Sequence, residues 1–124
     1  MRLLTCLASA LLIVTSVVCA EDAAVTKQFQ DLLASEWEYG LKESPTFASH
    51  LGDKRYNDRW PDVSLAAIER RHQHRQETLA ALSKIDKQKL SPADQLNYQL
   101  FQKDIAEEVE GFQYRWFLVP LDQR

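Results

Sequence analysis

Apolar residues return at three- and four-residue steps in four separate stretches of this chain, and that spacing commits it to helices. Phe29, Leu32, Leu33, Trp37 and Leu41 make the first stripe, on a helix that begins near Ala23. Gly40 weakens its last turn, and it ends by Ser44, because Pro45 disfavours helical geometry in the residue before it. Ser44-Pro45 then opens a shorter helix: serine accepts a bond from an orphan amide, and proline at the first helical position has no amide to waste. Phe47, Ala48 and Leu51 give this helix its apolar face, and Gly52 is a left-handed stop. Ser64 caps a long helix on which Leu65, Ile68, His72, Arg75 or Gln76, Leu79, Leu82 and Ile85 or Asp86 continue the alternation of helices packed nearly antiparallel. Ser91-Pro92-Ala93-Asp94 starts the last helix, with a capping serine, an early proline and an acid that suits the helix dipole. Its apolar face is Leu96, Tyr98, Leu100, Phe101, Ile105, Val109 and Phe112. The fold class expected is all-α, built from short antiparallel helices.

The first twenty residues read differently. Met1 and Arg2 give a positive start, Leu3 to Ala20 is apolar or small, and Val18-Cys19-Ala20 precedes Glu21 and Asp22. Val18 and Ala20 sit where signal peptidase accommodates compact side chains, so residues 1–20 are expected to be a secretory signal peptide cut after Ala20. A retained membrane anchor is the competing reading; no positive stop-transfer cluster follows the run, and the next residues are acidic. A lipoprotein modified at Cys19 would want a small residue before the cysteine, and Val18 fits that poorly. The expected location is therefore outside the cytoplasm, periplasmic or secreted, with no membrane association once the signal is removed.

Cleavage changes the constraints on the rest. Cys6 and Cys19 both leave with the leader, so residues 21–124 can form no disulfide. An exported domain of this size without such staples depends on core packing or on docking against something else. The 15 basic residues fall to 14 when Arg2 leaves, against 18 acids, a net charge of −4. Mild acidity with no basic face argues against a nucleic-acid partner.

Three polar features compete for a functional role. Residues 53–62 hold three acids, three bases, Tyr56 and Trp60. Either Arg55, Arg59, Tyr56 or Trp60 meets a ligand there, or the charges pair with one another while both aromatics pack on the helices; the second reading is favoured. The long helix is wholly polar from Glu69 to Thr78, including Arg70, Arg71, His72, His74 and Arg75. That centre either faces solvent or borders a cleft, and solvent is the expected environment. His72 and His74, two residues apart, point about 200° apart on a helix and so away from a shared metal. Asp104, Glu107, Glu108 and Glu110 crowd one side of the last helix with no histidine nearby, so they read as a solvated face and not a carboxylate metal site. No catalytic, cofactor-binding or metal-ligating residue is assigned. Tyr114, Trp116, Phe117, Leu118, Val119 and Leu121 form an aromatic and aliphatic run, cut by Pro120, that needs a partner to bury it.

Several blocks occur together in order. They are Trp37-Glu38-Tyr39, Glu43-Ser44-Pro45 with Phe47-Ala48, Leu51-Gly52-Asp53, Arg55-Tyr56 with Asp58-Arg59, Ile85-Asp86, Leu90-Ser91-Pro92-Ala93-Asp94, Asn97-Tyr98 with Leu100-Phe101, and Pro120-Leu121-Asp122-Gln123-Arg124. This set resembles the opening of domain-of-unknown-function family 885, from about Ser35 to Arg124. The resemblance implies an exported, mostly helical protein of several hundred residues that looks like a zinc metallopeptidase, with a His-Glu-x-x-His helix far downstream. In that motif two histidines one turn apart hold zinc and the glutamate activates its water. Here His50, His72 and His74 are followed by Leu51, Gln73 and Arg75, so no catalytic residue carries over and zinc is implied for full-length relatives alone.

Two functions are expected from these observations. In the first, residues 21–124 are the incomplete N-terminal scaffold of such a peptidase-like protein, partnered by the remainder of its own domain or a longer relative, with a peptide as substrate of the whole. Any residues bordering its cleft would be sought first at Arg55, Arg59 and Asp122-Gln123-Arg124. In the second, the segment is a free-standing periplasmic helical module that binds or regulates a partner without enzymatic activity.

Overall fold

The computed structural model describes residues 22–118. The leader expected at 1–20, both cysteines and the Pro120–Arg124 block lie outside the described residues. Four helices follow one another: α1 (Ala23–Glu43), α2 (Pro45–His50), α3 (Leu65–Leu82) and α4 (Pro92–Gly111). Single 3-10 turns occupy Lys87–Lys89, Phe112–Tyr114 and Trp116–Leu118. Among the described residues there is no strand, and no helix is long and apolar enough to cross a membrane.

Helix ends are set by local hydrogen bonding. Asp22 caps α1, accepting from the Ala24 and Val25 amides at 3.0 and 3.4 Å. The Ser64 hydroxyl accepts from Ala67 N–H at 3.2 Å and the Ser91 hydroxyl from Asp94 N–H at 3.1 Å, so both serines start helices as their positions predict. Ser44 departs from that expectation. Its side chain makes no cap bond, and its amide instead closes α1 by donating to Gly40 O at 3.0 Å. Pro45 at the first position of α2 leaves one fewer amide to satisfy there. Gly52, at φ +87°, takes the left-handed conformation that reverses the chain after α2.

Contacts along the helices establish direction. Glu43 meets Arg70 and Arg71, Glu36 meets His74 and Thr78, and Phe29 packs with Leu82, so α1 and α3 run antiparallel. Arg75 pairs with Glu108 and Tyr98 bonds Leu82 O, so α3 and α4 also run antiparallel. The apolar core sits where α1 begins, α3 ends and α4 begins: Phe29, Leu82, Ile85, Leu90 and Tyr98, flanked by Val25, Leu32, Leu33 and Phe101. Tyr98 supplies both a ring 5.8 Å from that of Phe29 and a hydroxyl that donates to Leu82 O at 3.0 Å. The buried phenol thus has a partner, and α4 is tied to the last carbonyl of α3.

One expected face divides in two. Tyr98 and Ile105 are buried and Phe101 is half-buried, whereas Leu96 and Leu100 are exposed. Two residues on an α-helix turn about 200°, so neither Leu96 nor Leu100 can share the side taken by Tyr98. At the other end of α4, the Phe112 ring stacks 3.8 Å from His72, and Phe117 returns to within 5.3 Å of Phe112. Tyr114 and Leu118 remain exposed.

Candidate functional site

The polar centre of α3 divides between water and the interior: Glu69, Arg70, Gln73, Gln76 and Glu77 are exposed as expected, whereas Arg71, His74, Arg75 and Thr78 turn inward. That inward stripe packs against α1 and borders a cleft of about 640 Å³ between α1, α3 and α4, with Phe47 of α2 at its wall. One α3 face alternates with the helical period through Arg71, His74, Arg75 and Thr78, and the opposing α1 residues Glu36, Tyr39 and Glu43 are spaced to meet it. Polar residues therefore occupy an inward stripe because their partners across the interface are polar too.

Each pairing can be traced. The Glu36 oxygens lie 2.9 and 3.1 Å from His74 Nε2, and Glu36 Oε1 also accepts from the Thr78 hydroxyl at 2.9 Å. Thr78 is 3 % exposed; its hydroxyl is also 3.0 Å from its own helix's His74 O. The Tyr39 ring stacks on His74 with centroids 3.6 Å apart. Glu43 takes guanidinium bonds from Arg70 at 3.1 Å and Arg71 at 3.2 Å, and Arg71 also donates to Asp62 O at 2.9 Å. On the far side Arg75 pairs with Glu108 of α4. Phe47, Phe101 and Ile105 supply apolar wall.

The electrostatics follow from this enclosure. Burial raises the Tyr39 phenol above its ordinary value, and the Glu43 carboxylate adds to the rise. Burial also lowers Arg75, against the pull of Tyr39 and Glu36, with the neighbouring Arg71 cation adding to the fall; a guanidinium nonetheless stays charged near neutrality. Arg70 is raised, first by its hydrogen bond to Glu43. The Tyr39 hydroxyl and His72 Nδ1 are enclosed and have no hydrogen-bond partner among the described residues. A smaller hollow of about 380 Å³ adjoins the same strip of α3, lined by Ile68, His72, Phe112 and Phe117, and shares Arg71, Arg75 and Glu108 with the cleft.

The sequence-derived candidates fall elsewhere. Arg55 donates to Glu38 at 2.9 and 3.2 Å and to Asp53 at 2.6 to 3.1 Å, and it does not line the cleft. Hydrogen bonds from Arg55 hold the Asp53 carboxyl below the ordinary aspartate range, and those same acids raise the Arg55 guanidinium. Arg55 and Arg59 lie over the Tyr56 ring at 5.3 and 5.2 Å. The expected pairing of opposite charges in residues 53–62 is present, but Trp60 does not pack on the helices: it is 84 % exposed. Asp122-Gln123-Arg124 lies outside the described residues. Glu36, Tyr39 and Glu43 are the residues that sequence reasoning missed; their three- and four-residue spacing on α1, matching the polar run on α3, was the available signal.

Zinc does not fit these residues. His74 Nε2 is directed at Glu36 and His72 Nε2 at Gln76, 3.0 Å away, so the two rings serve different neighbours. No group of three or more His, Cys, Asp or Glu side chains among the described residues is placed to hold a metal ion.

Comparison with known proteins finds no curated protein and no solved structure that matches the chain. A family model described as "Bacterial protein of unknown function (DUF885)" matches residues 45–124, from the first residue of α2 through α3 and α4. Because that match covers well over half of the sequence, the chain belongs to the DUF885 family.

Proposed function

We propose that residues 21–124 are the N-terminal scaffold portion of an exported, zinc metallopeptidase-like protein, with residues 1–20 removed during export and the reaction chemistry carried by residues outside this chain. The remainder of the domain, or a longer relative, is the partner, and a peptide is the substrate of the whole. The observation that carries this reading is uncovered apolar surface. Nine hydrophobic residues are buried among the described residues, while eleven large ones are exposed. Trp37 and Phe47 stand edge to face at 6.3 Å on α1 and α2, with Leu51 exposed just beyond α2. A small disulfide-free layer with such a face gains stability when another layer covers it.

A second reading is a free-standing periplasmic binding or regulatory module without enzymatic activity, favoured by the enclosed Phe29, Leu82 and Leu90 core. Thermal unfolding of residues 21–124 by circular dichroism, with dye binding to apolar surface and a zinc assay, separates the two. The scaffold reading expects helical signal, a broad transition, strong dye binding and no zinc. A sharp cooperative transition with no dye binding overturns it and leaves the module.

A further inference from the structure

We propose that the cleft between α1, α3 and α4 binds an organic cation, an ammonium or guanidinium group carried on an apolar stem. The inference goes beyond the scaffold reading and does not rest on it. Four carboxylates line the cleft against two guanidiniums. The guanidiniums are already engaged, Arg71 by Glu43 and the Asp62 carbonyl, Arg75 by Glu108. Glu36 is likewise engaged by His74 and Thr78. Among the described residues Asp104 is the lining carboxylate with no ion pair or hydrogen bond, so an entering cation meets an uncompensated negative charge there. The unpartnered Tyr39 hydroxyl adds an acceptor in the same cleft. An anion would be repelled by Asp104 and would have to displace Glu43 or Glu108 to reach an arginine.

The walls define the rest of the ligand. Phe47, Phe101 and Ile105 offer apolar surface to a methylene stem, the way long basic side chains lay their carbons along apolar surface with the charged head at a polar rim. A cleft of about 640 Å³ lies within the usual range for small-molecule sites. Two sources share this chemistry: the side chain of a lysine or arginine residue, and a free alkylamine.

The test is titration calorimetry on the full chain, its helical spectrum recorded throughout, with three probes: acetyl-lysine-methylamide, acetyl-norleucine-methylamide and cadaverine. The lysine compound or cadaverine, or both, is expected to bind at millimolar concentration or below, weakening as salt rises, while the isosteric neutral norleucine compound does not bind. The tighter of the two cations identifies the source. Asp104→Asn is expected to weaken binding about fivefold, the ratio corresponding to an exposed charge pair. Glu110→Gln removes the same charge from the same helix away from the cleft, and is expected to leave affinity unchanged. Because both substitutions lie at exposed positions, folding is retained. Equal binding of the norleucine compound, equal effects of the two substitutions, or no binding by either cation overturns the proposal.

Discussion

Glu36 and Thr78 provide a sharp test of whether the polar face of α3 is docked on α1. The Glu36 side chain is 18 % exposed and accepts from the Thr78 hydroxyl at 2.9 Å. Thr78→Val removes that donor with little change of volume, Glu36→Ala removes the acceptor, and the double variant removes both. A hydrogen bond to a charged group contributes about 1.5–3 kcal/mol, and partial exposure of Glu36 places this one near the lower end, about 1.5 kcal/mol. In the Glu36→Ala protein the single Thr78 O–H can turn to His74 O, 3.0 Å away, so the hydroxyl is not orphaned and the cycle reports the cross-helix bond relative to that local one. Hydrogen exchange at α1 and α3 amides measures opening free energy without requiring global two-state melting. A coupling of about 1.5 kcal/mol appears as roughly a tenfold departure from additive loss of protection. If α3 instead turned this face to solvent, the substitutions would be independent. Additivity within about 0.5 kcal/mol would refute the docked arrangement and the cleft with it.

Three further outcomes follow from single sites. Phe29→Ala empties the fully buried ring position against Tyr98 and is expected to reduce exchange protection around the core by about 3–5 kcal/mol; a loss below about 1 kcal/mol would mean the site is not enclosed. Gly52→Ala is expected to cost about 1–2 kcal/mol through the left-handed backbone, because φ is +87° and the space where a Cβ would stand is open; an unchanged melting profile would refute that origin. In a carboxyl-detected NMR titration Asp53 is expected to titrate below the ordinary aspartate range, since hydrogen bonds from Arg55 favour its charged form. Its contact with Arg55 thus stabilises the fold above the ordinary aspartate range and is lost as pH falls through the lowered value. Arg55→Ala is expected to move the midpoint up, and an unmoved midpoint would contradict the assigned cause.

The helices were legible because their starts and stops are local chemistry. Ser64 and Ser91 need only the amides three residues ahead, and Gly52 needs only its own backbone freedom. Which face points inward is a property of the assembly. Leu96 and Leu100 look like core by composition, yet the turn between them and Tyr98 carries them to the outside. Ser44 looks like a cap, yet the tight junction of α1 and α2 uses its amide and not its hydroxyl. The cleft was hidden for the same reason: the run from Glu69 to Thr78 reads as a solvated face until α1 is seen to present Glu36, Tyr39 and Glu43 to it.

That interface also bears on what the segment does. A three-helix layer held by Leu and Ile along its full length would be the simpler solution to stability, since a partly buried ion pair is often no better than a well-packed apolar pair of similar volume. Among the described residues the apolar core cluster lies at the Phe29–Leu82–Tyr98 end, with Leu41, Ala48, Ala67 and Ile105 buried outside it. Midway along, the packing changes to carboxylates, guanidiniums, an imidazole and a phenol, nearly all of them matched across the interface. Matching fixes the helices in one register, because a slip of either helix would leave charges half-buried and alone. A register held by polar pairs leaves a cleft that an apolar core would have filled, with Asp104 at its wall unpaired among the described residues. The core end therefore accounts for folding, and the polar end for a cleft of defined shape and excess negative charge. Those two parts are separable, which is why Phe29→Ala should reach protection throughout the core, whereas Asp104→Asn should reach ligand affinity alone.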